Sequence, residues 1–251
     1  SSAASDVYKR QSVLRLFLLS PLLVPPFIGA IAWTQLFGPN QGLNRLIGFE
    51  LWNIYGADGV IALMTIHSFP TAYVIISSGL RSISPDFELA ARVSGASVIT
   101  VLRTVTLPLL RPALLSAFTL TAIANLADFG IPAIIGSPAR FETLATMIYR
   151  FIDSGTVSNP LQVVSTIGVV LLFLGIGAVI MDYLTSLRNS PSTHDSGNPA
   201  RFSLHSARWP VTIIMWVCGL VISIGPILGL AYRALLPVSY THLTLPTSDL
   251  V

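Results

Sequence analysis

Five stretches of this chain run for about twenty residues with almost no Asp, Glu, Lys or Arg, and that feature limits what it can fold into. They centre on Leu16–Phe37, Gly59–Leu80, Ala113–Ile135, Leu161–Met181 and Trp209–Tyr232, with Asp128 the one charge among them. A helix of a soluble core seldom runs this long without a charged face. In lipid, by contrast, the backbone must satisfy its own N–H and C=O groups, which selects helices. The expected fold class is therefore an all-α membrane protein, a helix bundle with about five transmembrane helices. Composition agrees: 53% of the 251 residues are hydrophobic and 10% charged, where a soluble domain carries about a quarter, and the mean hydropathy is +0.74.

Prolines interrupt several stretches: Pro21, Pro25 and Pro26 in the first, Pro70 in the second and Pro132 near the end of the third. Neighbouring helices can satisfy freed carbonyls, so kinks rather than breaks are expected. Orientation follows from loop arginines, because short loops rich in Lys and Arg stay cytoplasmic. Loop 81–112 holds Arg81, Arg92, Arg103 and Arg111, and loop 182–208 holds Arg188, Arg201 and Arg208. Loops 38–58 and 136–160 hold only Arg45, Arg140 and Arg150, so seven against three places 81–112 and 182–208 inside the cell.

Both ends match something other than a fold. Ser1–Gln11, SSAASDVYKRQ, is encoded by the adapter of transposon-based sequencing libraries, and the reverse complement of that adapter encodes Val238–Thr247. Residues 1–11 and 238–251 are accordingly read as adapter-derived, leaving 12–237 as the natural insert. Residues 12–185 form a membrane domain, and 186–208, rich in Ser, Pro and Asn, read as a cytoplasmic linker. The crossing at 209–237 then begins a second membrane unit. A single cysteine, Cys218, excludes an intrachain disulfide and any CxxC site. A net charge of +3 is too weak and scattered for a nucleic-acid surface.

Loop 84–112 is the most informative segment. Ser84 is a good N-cap, Pro85 suits the first helical position, and Asp86 and Glu88 complement the positive end of the helix dipole. A short helix should start there, run through Ala90, Ala91 and Arg92, and stop at Gly95. A second short stretch, Ser97 to Val105, should end before Pro108 and Pro112. A cytoplasmic helix with small residues on one face and charges on another is suited to docking.

The pattern Leu89-Ala90-Ala91-x3-Gly95-x9-Val105-x-Leu107-Pro108 resembles the EAA loop, EAA-x3-G-x9-I-x-LP, of the membrane subunits of binding-protein-dependent ABC importers with the type I permease fold. Ser84-Pro85-Asp86 before it and Leu109-Leu110-Arg111-Pro112 after it resemble the family's flanks. Two positions depart: Leu89 stands where the motif has Glu, with Glu88 one place earlier, and Val105 replaces Ile. The resemblance implies that Glu88, Leu89, Ala90, Ala91, Arg92, Gly95, Leu107 and Pro108 couple the chain to a cytoplasmic ATPase. It further implies a solute-binding protein as partner, a second permease unit in the same full-length chain, and location in the bacterial inner membrane. The segment Leu126 to Gly136 is most similar to the fused permeases for ferric iron, and related permeases for polyamines, thiamine or phosphonates share the pattern. A secondary transporter is the other class considered, although such proteins place ionisable coupling residues near the midplane, which these spans mostly lack.

Within the third span, Ala113, Ala117, Thr121 and Asn125 recur at i+4 and Asp128 continues the stripe, so Thr121, Asn125 and Asp128 are candidates for the translocation path. Asp128 can equally lie at the outer helix end, wetted or paired, and His67 reads as a packing residue or a ligand. The sequence holds no G-x-x-x-x-G-K-[ST] loop, paired carboxylates or nucleophile with base, so no cofactor, metal site or enzymatic reaction is expected and ATP hydrolysis falls to a partner. Sequencing the source locus should replace SSAASDVYKRQ and residues 238–251 with other residues; genomic reads that encode Ser1–Gln11 contiguously with Ser12 would contradict the adapter reading.

Overall fold

The computed structural model describes residues 13–39, 41–153, 155, 158–188 and 208–235. The two adapter-like ends and linker residues 189–207 lie outside the described residues. Among the described residues there are helices and turns and no strand. The elements are α1 (Val13–Leu23), α2 (Pro26–Phe37), α3 (Gly42–Ile47), α4 (Ala57–Arg81), α5 (Pro85–Val93), α6 (Val98–Ala127), α7 (Leu144–Asp153), α8 (Pro160–Arg188) and α9 (Arg208–Leu235). Four of them, α4, α6, α8 and α9, are each long and apolar enough to cross a membrane, and the bent pair of α1 with α2 and α3 makes a fifth candidate.

That bend corrects the expectation of kinks. The chain turns by 103° between α1 and α2, because a residue that precedes proline is pushed out of the helical region and here two in succession do so. Val24 before Pro25 sits at φ −104°, ψ 119°, and Pro25 before Pro26 at φ −53°, ψ 135°. Pro70 has no such effect and lies inside an unbroken α4.

The third crossing also differs from its expected limits. The stretch after Ser97 does not stop before Pro108; it continues through Pro108 and Pro112 to Ala127 as one helix of 30 residues. A π-helical turn at Leu102–Thr106 precedes the prolines, with the N–H of Leu107 donating to Leu102 O, and this register change accommodates the missing donor of Pro108. At about 1.5 Å per residue, α6 is about 45 Å long against a hydrocarbon core of about 30 Å, so it projects beyond the bilayer. It ends where Asp128 turns extended at φ −72°, ψ 121°. The residues expected to finish the span, up to Ile135, instead enter a short π turn at Pro132–Gly136, and Ile131 and Ile135 are buried.

The core sits at the end of the bundle opposite the arginine-rich loops. Ala30 and Trp33 of α2, Ile54 of the loop before α4, Val60 and Leu63 of α4, and Ile131 and Ile135 pack together. Asn44, 5% exposed, ties the outer loop: its amide donates to the carbonyls of Phe37, Gly38 and Trp52 and its oxygen accepts the N–H of Leu51 at 2.9 Å. On the other side, α9 lies along α2, where Gly229 makes room for the carbonyl of Ala32 and the hydroxyls of Ser20 and Ser223 meet at 2.6 Å. Ser116 of α6 donates to Asp182 of α8 at 2.8 Å, and α8 continues to Arg188, three residues into the segment expected as linker. Asn44→Ala would leave three carbonyls and one N–H to water or to nothing. It should lower the unfolding free energy in detergent by about 2 kcal/mol, read as a fall in thermal midpoint against the parent chain.

Candidate functional site

Two regions carry the residues singled out by sequence, and α6 joins them. The first is α5 with the turn into α6. Ser84 caps α5, its hydroxyl accepting the N–H of Asp86 at 3.3 Å, and Pro85 occupies the first turn. The helix stops at Gly95, at φ +87°, with the N–H of Ala96 donating to Ala91 O at 3.1 Å. That left-handed conformation suits glycine because it has no Cβ to meet the carbonyl. Ser97 then caps α6 by accepting the N–H of Thr100.

The side chains of α5 face in unexpected directions. Glu88, expected as an exposed partner for an ATPase, is only 5% exposed, and its Oε1 accepts the Thr106 hydroxyl at 2.6 Å inside the fold. Leu89, Ala90, Arg92 and Val93 are exposed, Val93 at 89%, and Ala91 is half-buried. Leu107 is 41% exposed and Pro108 half-buried. At 100° per residue, Leu89, Ala90 and Val93 lie on the arc opposite Glu88. The helix is thus turned with Glu88 inward, while Asp86 shares the exposed arc with Leu89, Ala90 and Val93. Sequence reading missed Thr106, because its pairing spans eighteen positions and no local periodicity links the two.

The second region is a cavity of about 270 Å³ between α4, α6 and the start of α2. His67, Ser68 and Thr71 from α4 face Thr121 and Asn125 from α6 and Asp128 just past its end, with Pro26, Ala124 and Ala127 completing the wall. The three residues expected to share a stripe do share this cavity. Asp128 reaches it from beyond the helix end, held by Oδ1 accepting the N–H of Gly130 at 2.8 Å. Asn125 Oδ1 accepts the Ser68 hydroxyl at 3.0 Å across the two helices. His67 packs over Gly29, where a Cβ would overlap the ring, and also lines a second cavity of about 190 Å³ beside α9. Ser68 and Thr71, one turn apart on a span without charges, were legible as a polar stripe and were passed over.

On the inner side of the cavity, small residues bring α4 and α6 together. Gly79 of α4 faces Ala113 of α6, where a side chain would overlap the Ala113 methyl, and Ala117 one turn on is 2% exposed. The wall has one carboxylate, one imidazole, one amide and three hydroxyls, and none of its residues is Lys or Arg. Such a set offers oxygen ligands to a cation; its hydroxyl, amide and imidazole groups can also donate to an anion, but its one full charge, Asp128, opposes an anion.

Comparison with known proteins supplies a context for this geometry. Residues 3–188 match the protein family described as "binding-protein-dependent transport system inner membrane component", a match that begins inside the adapter-like segment. The chain is 29% identical over 175 residues to the ferric transport system permease protein of Actinobacillus pleuropneumoniae, which covers 68% of this chain and 25% of that protein. It is 28% identical over 169 residues to the molybdenum transport system permease protein of Mycobacterium tuberculosis, covering 66% and 64%. This chain therefore spans about a quarter of the length of its ferric relative. Among solved structures it resembles the inward-facing MetNI methionine ABC transporter, with a TM-score of 0.53 and 20% identity over 74% of this chain and 77% of that one, a likeness of fold.

The geometry at Gly95 leads to a direct expectation. Nothing lies within 4 Å of a Cβ added there, so Gly95→Ala meets no clash and pays only the backbone term. It should lower the unfolding free energy by about 1 kcal/mol with membrane insertion unchanged, as measured by thermal unfolding and membrane fractionation.

Proposed function

Since the chain belongs to the family of binding-protein-dependent transport system inner membrane components, we propose that it is the first permease unit of an ATP-driven ABC importer that moves ferric iron by alternating access. It is a multi-pass inner-membrane protein and not an enzyme in its own right. In this reading α5 meets the cytoplasmic ATPase, α9 opens a second permease unit, and a solute-binding protein delivers iron to the outer face. The cavity between α4 and α6 is then part of the path.

The observation that carries the choice of solute is the cavity wall. Both ferric and molybdenum permeases are relatives of similar identity, so likeness alone does not separate a cation from an oxyanion. The chemistry does favour one. Asp128 would repel molybdate, and the wall has no Lys or Arg to compensate, whereas a hard cation would find the Asp128 carboxylate, the Asn125 carbonyl and the hydroxyls of Ser68, Thr71 and Thr121. Transit requires weak, multiple contacts rather than a tight cage, and one carboxylate among neutral oxygens is of that kind.

The test uses proteoliposomes holding the full-length permease and its ATPase, with the cognate binding protein outside. Radioactive ferric iron should accumulate on ATP hydrolysis and molybdate should not. Asp128→Asn should cut iron uptake by about tenfold or more, the equivalent of about 1.4 kcal/mol of lost cation stabilisation. Uptake of molybdate, or undiminished iron uptake by the variant, would overturn the assignment of the solute. The coupling role is tested separately. Gly95→Asp places a charged side chain in a left-handed position against the docking surface, and it should abolish both uptake and co-purification of the ATPase.

A further inference from the structure

His67 is the one polar side chain of the cavity wall to which the iron path gives no role, and its surroundings are not those of a histidine held by packing alone. Its ring lies with the Nε2–Cε1 edge on Gly29 and helps to line two cavities, the polar one shared with Asp128 and the smaller one beside α9. The smaller cavity offers the ring little. Its walls are mostly apolar, and the hydroxyls of Ser20 and Ser223 are engaged with each other and with the carbonyl of Phe17. Neither ring nitrogen of His67 has a hydrogen-bond partner among the described residues, whereas a packing imidazole ordinarily donates its proton to a carbonyl or carboxylate. The charged group that acts on the ring is Asp128, which lines the same polar cavity. An ionisable side chain inside a span without such a partner points to function.

Resting on the reading of this cavity as part of the ferric-iron path, we propose that His67 is the residue that gives the path its preference for a transition-metal cation. The carboxylate, amide and hydroxyl oxygens of the wall suit magnesium and calcium as well as iron, so they select for charge and not for the element. An imidazole nitrogen is a ligand for iron and a poor one for the alkaline-earth ions. His67 is the only imidazole of the wall, and with Asp128 it presents one nitrogen and one charged oxygen to a passing ion. Among the described residues no three His, Cys, Asp or Glu side chains come together, so the pair is a contact in transit and not a cage that would retain the ion. The place of the ring depends on Gly29, because a Cβ there would push the imidazole out of the space it occupies.

The experiment uses the full-length permease with its ATPase in nanodiscs, without binding protein, dialysed against ferric citrate, a carrier whose ligands are all oxygen. Bound iron is counted and its ligands are read by pulsed EPR. The parent complex should bind iron and show the nitrogen modulation of an imidazole ligand, and an excess of calcium should not displace the iron. His67→Gln puts an amide of similar size in place of the imidazole. It should abolish the nitrogen modulation, lower bound iron by about tenfold and let calcium compete, with membrane insertion and ATPase recovery unchanged. Gly29→Ala keeps the imidazole but displaces it, and should weaken both iron binding and the modulation. Asp128→Asn should lower bound iron while the iron that remains keeps its nitrogen signal. Iron held by the parent through oxygen alone, a nitrogen signal that persists in His67→Gln, or a parent that transports iron yet binds none in dialysis would each overturn the proposal. If the parent moves molybdate and not iron in the uptake assay, the underlying reading of the solute fails instead.

Discussion

The close approach of α4 and α6 at Gly79 and Ala113 is the constraint on which the rest depends. A side chain at Gly79 would overlap the Ala113 methyl, so α4 and α6 pack this closely only because position 79 has no Cβ. In lipid, helix association draws on close packing and interhelical hydrogen bonds rather than on release of water, and small residues let both operate. Outward from Gly79 the two helices flank the cavity, whose wall includes the Ser68–Asn125 hydrogen bond between them. Inward, α4 ends at Arg81 and α6 continues past it, which leaves the base of α6 free to receive α5.

The features legible in the sequence were those that local rules decide. The start and stop of α5 follow from Ser84, Pro85 and Gly95 alone, and the structure has each in the expected role. The spans were legible because length and absence of charge leave a chain little choice. Tertiary partners decided the rest. Pro25 and Pro26 break a helix that Pro70 and Pro112 leave intact, because consecutive residues before proline are forced into extended conformations, whereas an isolated proline costs one hydrogen bond that the bundle can absorb. Glu88 was expected at the surface because an isolated helix exposes its carboxylates. Only the Thr106 hydroxyl, brought near by the turn at Gly95, gives it a reason to face inward.

The candidate site was half legible for the same reason. Thr121 and Asn125 share a helical face by spacing, and Asp128 reaches the same cavity although the helix has already ended. His67, Ser68 and Thr71 could be paired with them only once α4 was known to lie against α6. The second cavity, behind His67 and against α9, needed three separate segments to come together and had no sequence signature.

Taken as one body, α6 links the two regions: Thr106 near its base donates to Glu88 of α5, and Thr121 and Asn125 near its top face the cavity. As one continuous helix through the π turn and Pro112, α6 would carry a movement of its base to the cavity without bending. The most direct test is a spin–spin distance between labels at Arg103→Cys and Ala124→Cys, in a Cys218→Ser background of the full-length permease with its ATPase. Twenty-one residues of helix place the labelled backbones about 32 Å apart. The account predicts one narrow distribution near that value, the same without nucleotide and with ATP bound. A shift of about 5 Å or more between the two states, or a second population in either, would show that α6 bends and would contradict it.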